Sequence, residues 1–249
     1  MNPTPLADAL DADRFGGKAA SLARTVRAGL PVPPGFALDF TSVDAICAGD
    51  PAVEPLARTA FEHLAGPCAV RSSAIGEDSE HASFAGQHLT VLNVRRGDEL
   101  ADAVQRVRES ARTESAMVYR VASGLEAAPK VAVVVQRMID PACAGVMFTR
   151  NPVNGADERI VEAAWGLGEV VVGGLVVPDN YVLDASGRLE RRTIGDKDLA
   201  LRLAPEGGTR EEVLPSELAG APCLDADQLA QLVELSRRCE DLFGRGLDI

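Results

Sequence analysis

The stretch CAVRSSAIGEDSEHASFAGQ, residues 68–87, begins as a buried strand and ends in small, polar, glycine-containing sequence. Arg71 stands where the apolar run gives out, beside Ser72 and Ser73. Two readings are open. In one, Arg71 pairs with a carboxylate and the residues after it form an ordinary hairpin turn. In the other, the guanidinium is a bidentate donor for an anion such as phosphate. In that case SFAGQ (83–87) is small enough for its backbone amides to approach phosphate oxygens.

Outward from this stretch, the pattern predicts helices and a few strands first, a strand-rich half next, and a closing helix. GKAASLARTVRA (17–28) reads as a helix stopped by Gly29 and by Pro31, Pro33 and Pro34. GFALDF is a short strand, and residues 42–64 are mostly helical. HLTVLNV (88–94) alternates as a strand with one wet face, and 98–122 read as one or two helices. VAVVVQRMI (131–139) is a continuous, β-branched apolar run and reads as a buried strand. AGVMFT, ERIVEAA, NYVLD and RLERRTI come next as strands, separated by turn signals such as NPVNG and ASG. Residues 201–222, rich in Pro, Gly and Glu, read as an exposed loop. Asp225 with Gln228 three residues on resembles a capping box opening a helix that ends at Gly244. The class is α+β, with two lobes, 1–129 and 130–249.

The 249 residues suffice for a sizeable core, and 46% hydrophobic with 25% charged residues is ordinary for a globular chain. A net charge of −12 argues against a nucleic-acid partner, which needs a basic face. No apolar run is long enough for a membrane span, and the acidic N-terminus lacks a signal pattern. Five scattered cysteines read as reduced thiols of a cytoplasmic protein rather than a zinc site. Lysine occurs only at Lys18, Lys130 and Lys197, so each position carries weight.

Familiar nucleotide motifs fail. GGKAAS lacks the upstream glycine of a Walker loop, and WGLGEVVVGG has Val171 where a dinucleotide fingerprint needs glycine. A scattered set remains: Lys18 after two glycines at a helix start, where backbone N–H groups favour an anion; Arg71; the SFAGQ loop; and EAAWGLGE (162–169), which sets Glu162 and Glu169 around a glycine-rich turn holding the only tryptophan. A carboxylate at that strand end is suited to a metal or a ribose hydroxyl, or else merely caps a turn.

In order and combination, FGGKAASLARTVRAGLPVPPGFAL, AVRSSAIGEDSEHASFAGQHLTVLNV, VAVVVQRMI, AGVMFTRNPV and IVEAAWGLGEVVVGGLVVPDNYVLD resemble the ATP-binding domain of the phosphoenolpyruvate synthase and pyruvate phosphate dikinase family. Rifampin phosphotransferases and glucan, water dikinases share that domain. The resemblance implies an ATP-grasp-like fold with ATP between two lobes. It implies that Lys18 and Arg71 reach the ATP phosphates and take part in catalysis, and that Ser83, Phe84, Ala85, Gly86 and Gln87 cover them. It further implies that the backbone of Gln136, Arg137, Met138 and Ile139 meets the adenine, and that Glu162 belongs to the family's E-x-x-W/F-G-L-G-E motif.

The same resemblance implies an Mg2+-ATP-dependent dikinase portion. The β-phosphate of ATP would pass to a histidine on a separate domain or chain, and then to an acceptor such as pyruvate. There are departures. Lys18 and Arg71 are closer in sequence than is usual in the family, as though residues 41–65 were shortened. The family's magnesium ligands and its Q-x-R-P strand would lie beyond Ile249, so weak or no catalysis is expected of this chain alone, and GLDI is expected to leave a sheet edge unpaired. A stand-alone ATP-binding module, an antibiotic phosphotransferase fragment, or a compact kinase using Glu162 or Glu169 locally are the alternatives.

Overall fold

A computed structural model describes residues 2–74, 89–111, 130–244 and 246–249. The chain divides into two compact units, Met1–Ile139 with Pro205–Gly208, and Asp140–Ala204 with Thr209–Ile249.

The first unit is built on a five-stranded antiparallel sheet in the order β1-β2-β5-β3-β4. The strands are β1 (Thr4–Pro5), β2 (Gly35–Leu38), β3 (Cys68–Ala74), β4 (Thr90–Val94) and β5 (Val131–Arg137). Helix α1 (Ala12–Arg27) lies on one face, and α2 (Phe40–Cys47), α3 (Glu54–His63) and α4 (Leu100–Ser110) pack on the other. This explains the unbroken apolar run of β5. Val133 and Val135 face Val43, Phe61 and Val104, while Val134 faces Phe15 and Ala19. A strand covered on both faces cannot alternate, and each fully buried Val contributes on the order of 1.5–3 kcal/mol.

β5 is hydrogen-bonded to both β2 and β3, so it belongs to the first unit, whereas the sequence had placed it at the start of a second lobe. The units divide at Ile139 instead.

The second unit contains an antiparallel meander, β6 (Cys143–Phe148), β7 (Arg159–Trp165), β8 (Asp179–Leu183) and β9 (Leu189–Thr193). A one-turn helix α5 (Glu169–Val172) comes after β7, and α6 (Ser216–Ala219) precedes the long α7 (Ala226–Phe243). Met147, Val161, Tyr181 and Leu183 meet Leu229 and Val233 of α7. The expected capping box is present: Asp225 Oδ1 accepts from Gln228 N–H, and Gln228 Oε1 accepts from Asp225 N–H. Gly244 ends α7 at φ +68°, a conformation glycine adopts without strain.

Two expectations are overturned here. Residues 201–222 are not all loop: β10 (Leu199–Leu203) and β11 (Thr209–Val213) form an antiparallel hairpin. The turn residues PEGG hid two five-residue strands, one of them almost entirely charged or polar and exposed. The edge beside GLDI is not unpaired either. Met147 N–H donates to Ile249 O, Ile249 N–H to Met147 O, and Thr149 N–H to Leu247 O, so these last residues add to the outer edge of β6.

Candidate functional site

In the first unit the fold brings FGGK and VRSS together. Gly16 breaks the helical backbone inside α1 with φ +79°. A Cβ there would lie 2.2 Å from the carbonyl oxygen of Ser73, so only glycine lets α1 approach β3 this closely. The next residues bind β3 directly. Lys18 Nζ donates to Ser72 O at 2.9 Å, and Ala19 N–H donates to Ser73 Oγ at 3.0 Å. Ser73 therefore acts as a cap supplied from another element for the turn that restarts after Gly16. The sequence suggested an open anion site at this helix start; one of its first amides is already taken by a serine.

Strand alternation sets Arg71 on the same face as Ser73, the α1 face, opposite Val134 of β5. Arg71 is half-buried, whereas Ser72 and Ser73 are buried. Lys18 and Arg71, 53 positions apart in the chain, thus belong to one corner where α1 meets β3. Ser83, Phe84, Ala85, Gly86 and Gln87, expected to cover the phosphates, lie outside the described residues.

The residues expected to meet the adenine stand at the end of β5. Gln136 is buried, and its Nε2 donates to Pro33 O at 3.0 Å, so its side chain holds the turn before β2. Arg137 N–H donates to Pro34 O at 2.9 Å and Met138 N–H to Pro67 O at 2.8 Å. Ile139 is 55% exposed. About 10 Å of strand separates Arg137 from the row of β5 opposite Arg71, at ~3.3 Å per residue.

In the second unit Glu162 lies on β7 opposite Asn180 of β8. It projects from the face away from α7, because its neighbours Val161 and Ala163 face that helix. Asn180 Nδ2 approaches Glu162 Oε1 at 3.5 Å. The turn after β7 is held rigidly. Gly166, at φ +84°, approaches Leu201 O so closely that a Cβ would lie 2.3 Å from it, and Leu167 N–H donates to Leu201 O. Trp165 Nε1–H donates to Leu218 O at 2.8 Å, which makes the only tryptophan a packing residue of this unit. Glu169 begins α5.

The sequence raised the question of the lysines without resolving it. Lys197 is fully buried and pairs with the equally buried Asp179. Asp179 also accepts from Gly195 N–H, Cys223 N–H and the Tyr181 hydroxyl, while Tyr181 Oη accepts from Leu224 N–H. Burial pushes the Asp179 carboxyl up, but Lys197 and the two amides outweigh it and hold the group below its usual range. The network fastens β8 to the segment entering α7. Its signal in sequence was the scarcity of lysine, which does not say what the lysine meets. Lys130 Nζ lies 5.3 Å from the centre of the Phe40 ring, a cation–π contact.

Burial raises the Cys68 thiol to about 11 and pushes Cys143, Cys223 and Cys239 upward as well, so these are neutral packing groups rather than nucleophiles. Among the described residues, no group of three or more His, Cys, Asp or Glu side chains could hold a metal ion. No described helix is long and apolar enough to cross a membrane.

The mixed helix-and-sheet fold, with the family match to this chain, defines a nucleotide-binding domain of the ATP-grasp-like kind. The family described as "Pyruvate phosphate dikinase, AMP/ATP-binding domain" matches residues 50–249, and the chain belongs to it. The prodigiosin synthesizing transferase PigC of Serratia marcescens is 37% identical over 282 positions, covering 100% of this chain and 32% of that protein. A probable phosphoenolpyruvate synthase of Methanothermobacter thermautotrophicus is 33% identical, covering 94% of this chain and 41% of the relative. A rifampicin phosphotransferase of a Streptomyces species is 44% identical over 183 residues, covering 73% of this chain and 21% of its own length. The chain thus spans well under half the length of these relatives. The family match includes Arg71, Gln136–Ile139 and Glu162; Lys18 falls in the full-length match to the Serratia protein.

Proposed function

We propose that this chain is the ATP-grip of a dikinase-type phosphotransferase. The observation that supports the reading is the corner where Gly16 admits α1 to β3 and Lys18 Nζ donates to Ser72 O, the residue after Arg71. Lys18 Nζ, anchored on Ser72 O, brings its charge to the ATP phosphates. Arg71 adds a planar bidentate donor on the same face. Ser83–Gln87 supplies backbone amides to the same phosphates. The hinge backbone at Gln136–Ile139 takes the adenine. The span between the hinge and the Arg71 row suits an extended nucleoside triphosphate.

Phosphoryl transfer demands little covalent chemistry of the protein and much positioning and charge neutralisation. Lys18 and Arg71 supply both. Magnesium would accompany the triphosphate and neutralise part of its charge. In the full reaction the β-phosphate moves to a histidine on a separate domain or chain and onward to an acceptor, with AMP and phosphate as products. The relatives include a probable phosphoenolpyruvate synthase and a rifampicin phosphotransferase, and pyruvate is the acceptor we favour. The test uses the complete gene product and ATP labelled at the β-phosphate. Acid-labile label on protein together with AMP is the expected result. Release of ADP as the sole nucleotide product would contradict the dikinase reading.

A further inference from the structure

Val91 and Val94 of β4 both pack against the α2–α4 side of the sheet. A regular strand sends residues three apart to opposite faces. The register resolves the conflict. Cys68 pairs with Val94 and Val70 with Val91, so Leu92 and Asn93 together stand opposite the single residue Ala69. This is a β-bulge. Asn93 takes it up at φ +56°, a left-handed conformation that asparagine tolerates and that a β-branched residue scarcely adopts.

The bulge is fastened by its own polar groups. Asn93 is 1% exposed. Its Nδ2 donates to Gly208 O at 2.6 Å, its Oδ1 accepts from Arg95 Nη1 at 3.3 Å, and its N–H donates to Met138 Sδ at 3.0 Å. Gly208 lies in the turn Pro205–Gly208, which belongs to the first unit. The consequence falls on the residues before the bulge, each of which it moves by one position. In the observed register Thr90 stands opposite Arg71. Regular pairing from Cys68↔Val94 would instead set Leu92 opposite Val70 and Val91 opposite Arg71. The half-buried Thr90 thus shares the α1-facing row with Arg71, and among the described residues none hydrogen-bonds its hydroxyl. In the slipped register an isopropyl group takes that place.

We propose that Asn93 is a positioning residue for the phosphate corner. Its left-handed bulge selects the register that gives Arg71 a hydroxyl neighbour in place of an apolar one. Asn93 acts through Thr90 and touches no phosphate itself. The proposal rests on the reading of the α1–β3 corner as the phosphate site.

The experiment measures calorimetric affinity for tripolyphosphate, a probe without a nucleobase, in the wild type and in variants of β4. Thr90→Val removes the hydroxyl and is expected to lose about ten- to a hundredfold, as for a hydrogen bond to a charged group. Asn93→Val disfavours the left-handed backbone, shifts β4 into the slipped register and is expected to lose as much. Thr90→Val/Asn93→Val should lose no more than either change alone, because both withdraw the same hydroxyl. Val91→Thr/Asn93→Val should recover the affinity, since the slipped register turns residue 91 towards the Arg71 row. A merely structural role for Asn93 predicts no such rescue.

The proposal is overturned if Thr90→Val or Asn93→Val binds as the wild type does, or if Val91→Thr brings no recovery. Should Asn93→Val fail to fold, deletion of Asn93 decides. The shortened strand pairs Thr90 with Arg71 and needs no bulge, so its affinity is expected to persist, and a loss of about tenfold overturns the proposal. Failure of the wild type to bind either tripolyphosphate or ATP overturns the proposed function, a result distinct from binding that position 93 leaves unchanged.

Discussion

Lys18 and Lys197 show how one residue type is placed for two different ends. Lys197 is fully buried against an equally buried Asp179, which three further donors surround. Lys18 is part-buried at a helix start and donates to a backbone carbonyl. A charge sealed in the core against its counter-ion can stabilise a fold but cannot reach a ligand. A charge anchored at a part-exposed corner sits where a ligand can meet it. The surroundings of the two lysines differ, and the sequence does not record them.

The largest expected effect tests the structural half. Lys197→Met leaves the Asp179 carboxylate buried without its cation and should cost about 3–5 kcal/mol in chemical unfolding. The double variant Lys197→Met/Asp179→Asn should recover a large part of that loss, because the stranded charge is gone while an amide oxygen still accepts from the surrounding donors. Equal losses in single and double variants would break the contrast.

Next in size is the binding half. Lys18→Ala should lose roughly 1.5–3 kcal/mol of ATP affinity, as for a hydrogen bond to a charged group, while its unfolding midpoint moves little. Ser73→Ala removes the cap on Ala19 N–H and should cost about 0.5–2 kcal/mol of stability by thermal melting. A smaller response is set by acid. Burial pushes the Asp39 carboxyl up, but bonds from Ser42, Arg14 and Thr41 outweigh it and hold it at about 2 against an ordinary 3.8. Its folded-state value is depressed, so the stability it contributes is complete above the ordinary value and fades as pH falls towards 2. Asp179 acts in the same direction. Unfolding measured from about pH 5 down to about pH 2 should therefore show declining stability, with a shallower decline in Asp39→Asn.

Much of the fold was legible because burial leaves a periodic trace. The continuous valines of β5 required cover on both faces, and α1 with α2–α4 provides it. The capping box at Asp225 and Gln228 carries its own geometry in the sequence. The hairpin β10–β11 was not legible, since its second strand buries almost nothing and leaves no alternating signature. The lobe boundary was misplaced because pairing partners, not composition, assign β5 to the first unit.

At the site, the sequence marks FGGK as a helix start that favours an anion, and only the structure shows that Gly16 makes a close approach to Ser73 there. The Asp179–Lys197 pair joins positions 18 apart through a turn that no motif marks.

The most direct test of the central claim is a calorimetric titration of the wild type and of Lys18→Ala with Mg-ATP, with circular dichroism confirming that both are folded. The account predicts binding by the wild type and a loss of about ten- to a hundredfold in the variant. ATP binding of equal strength by the two folded proteins would contradict the placement of the phosphates at the α1–β3 corner.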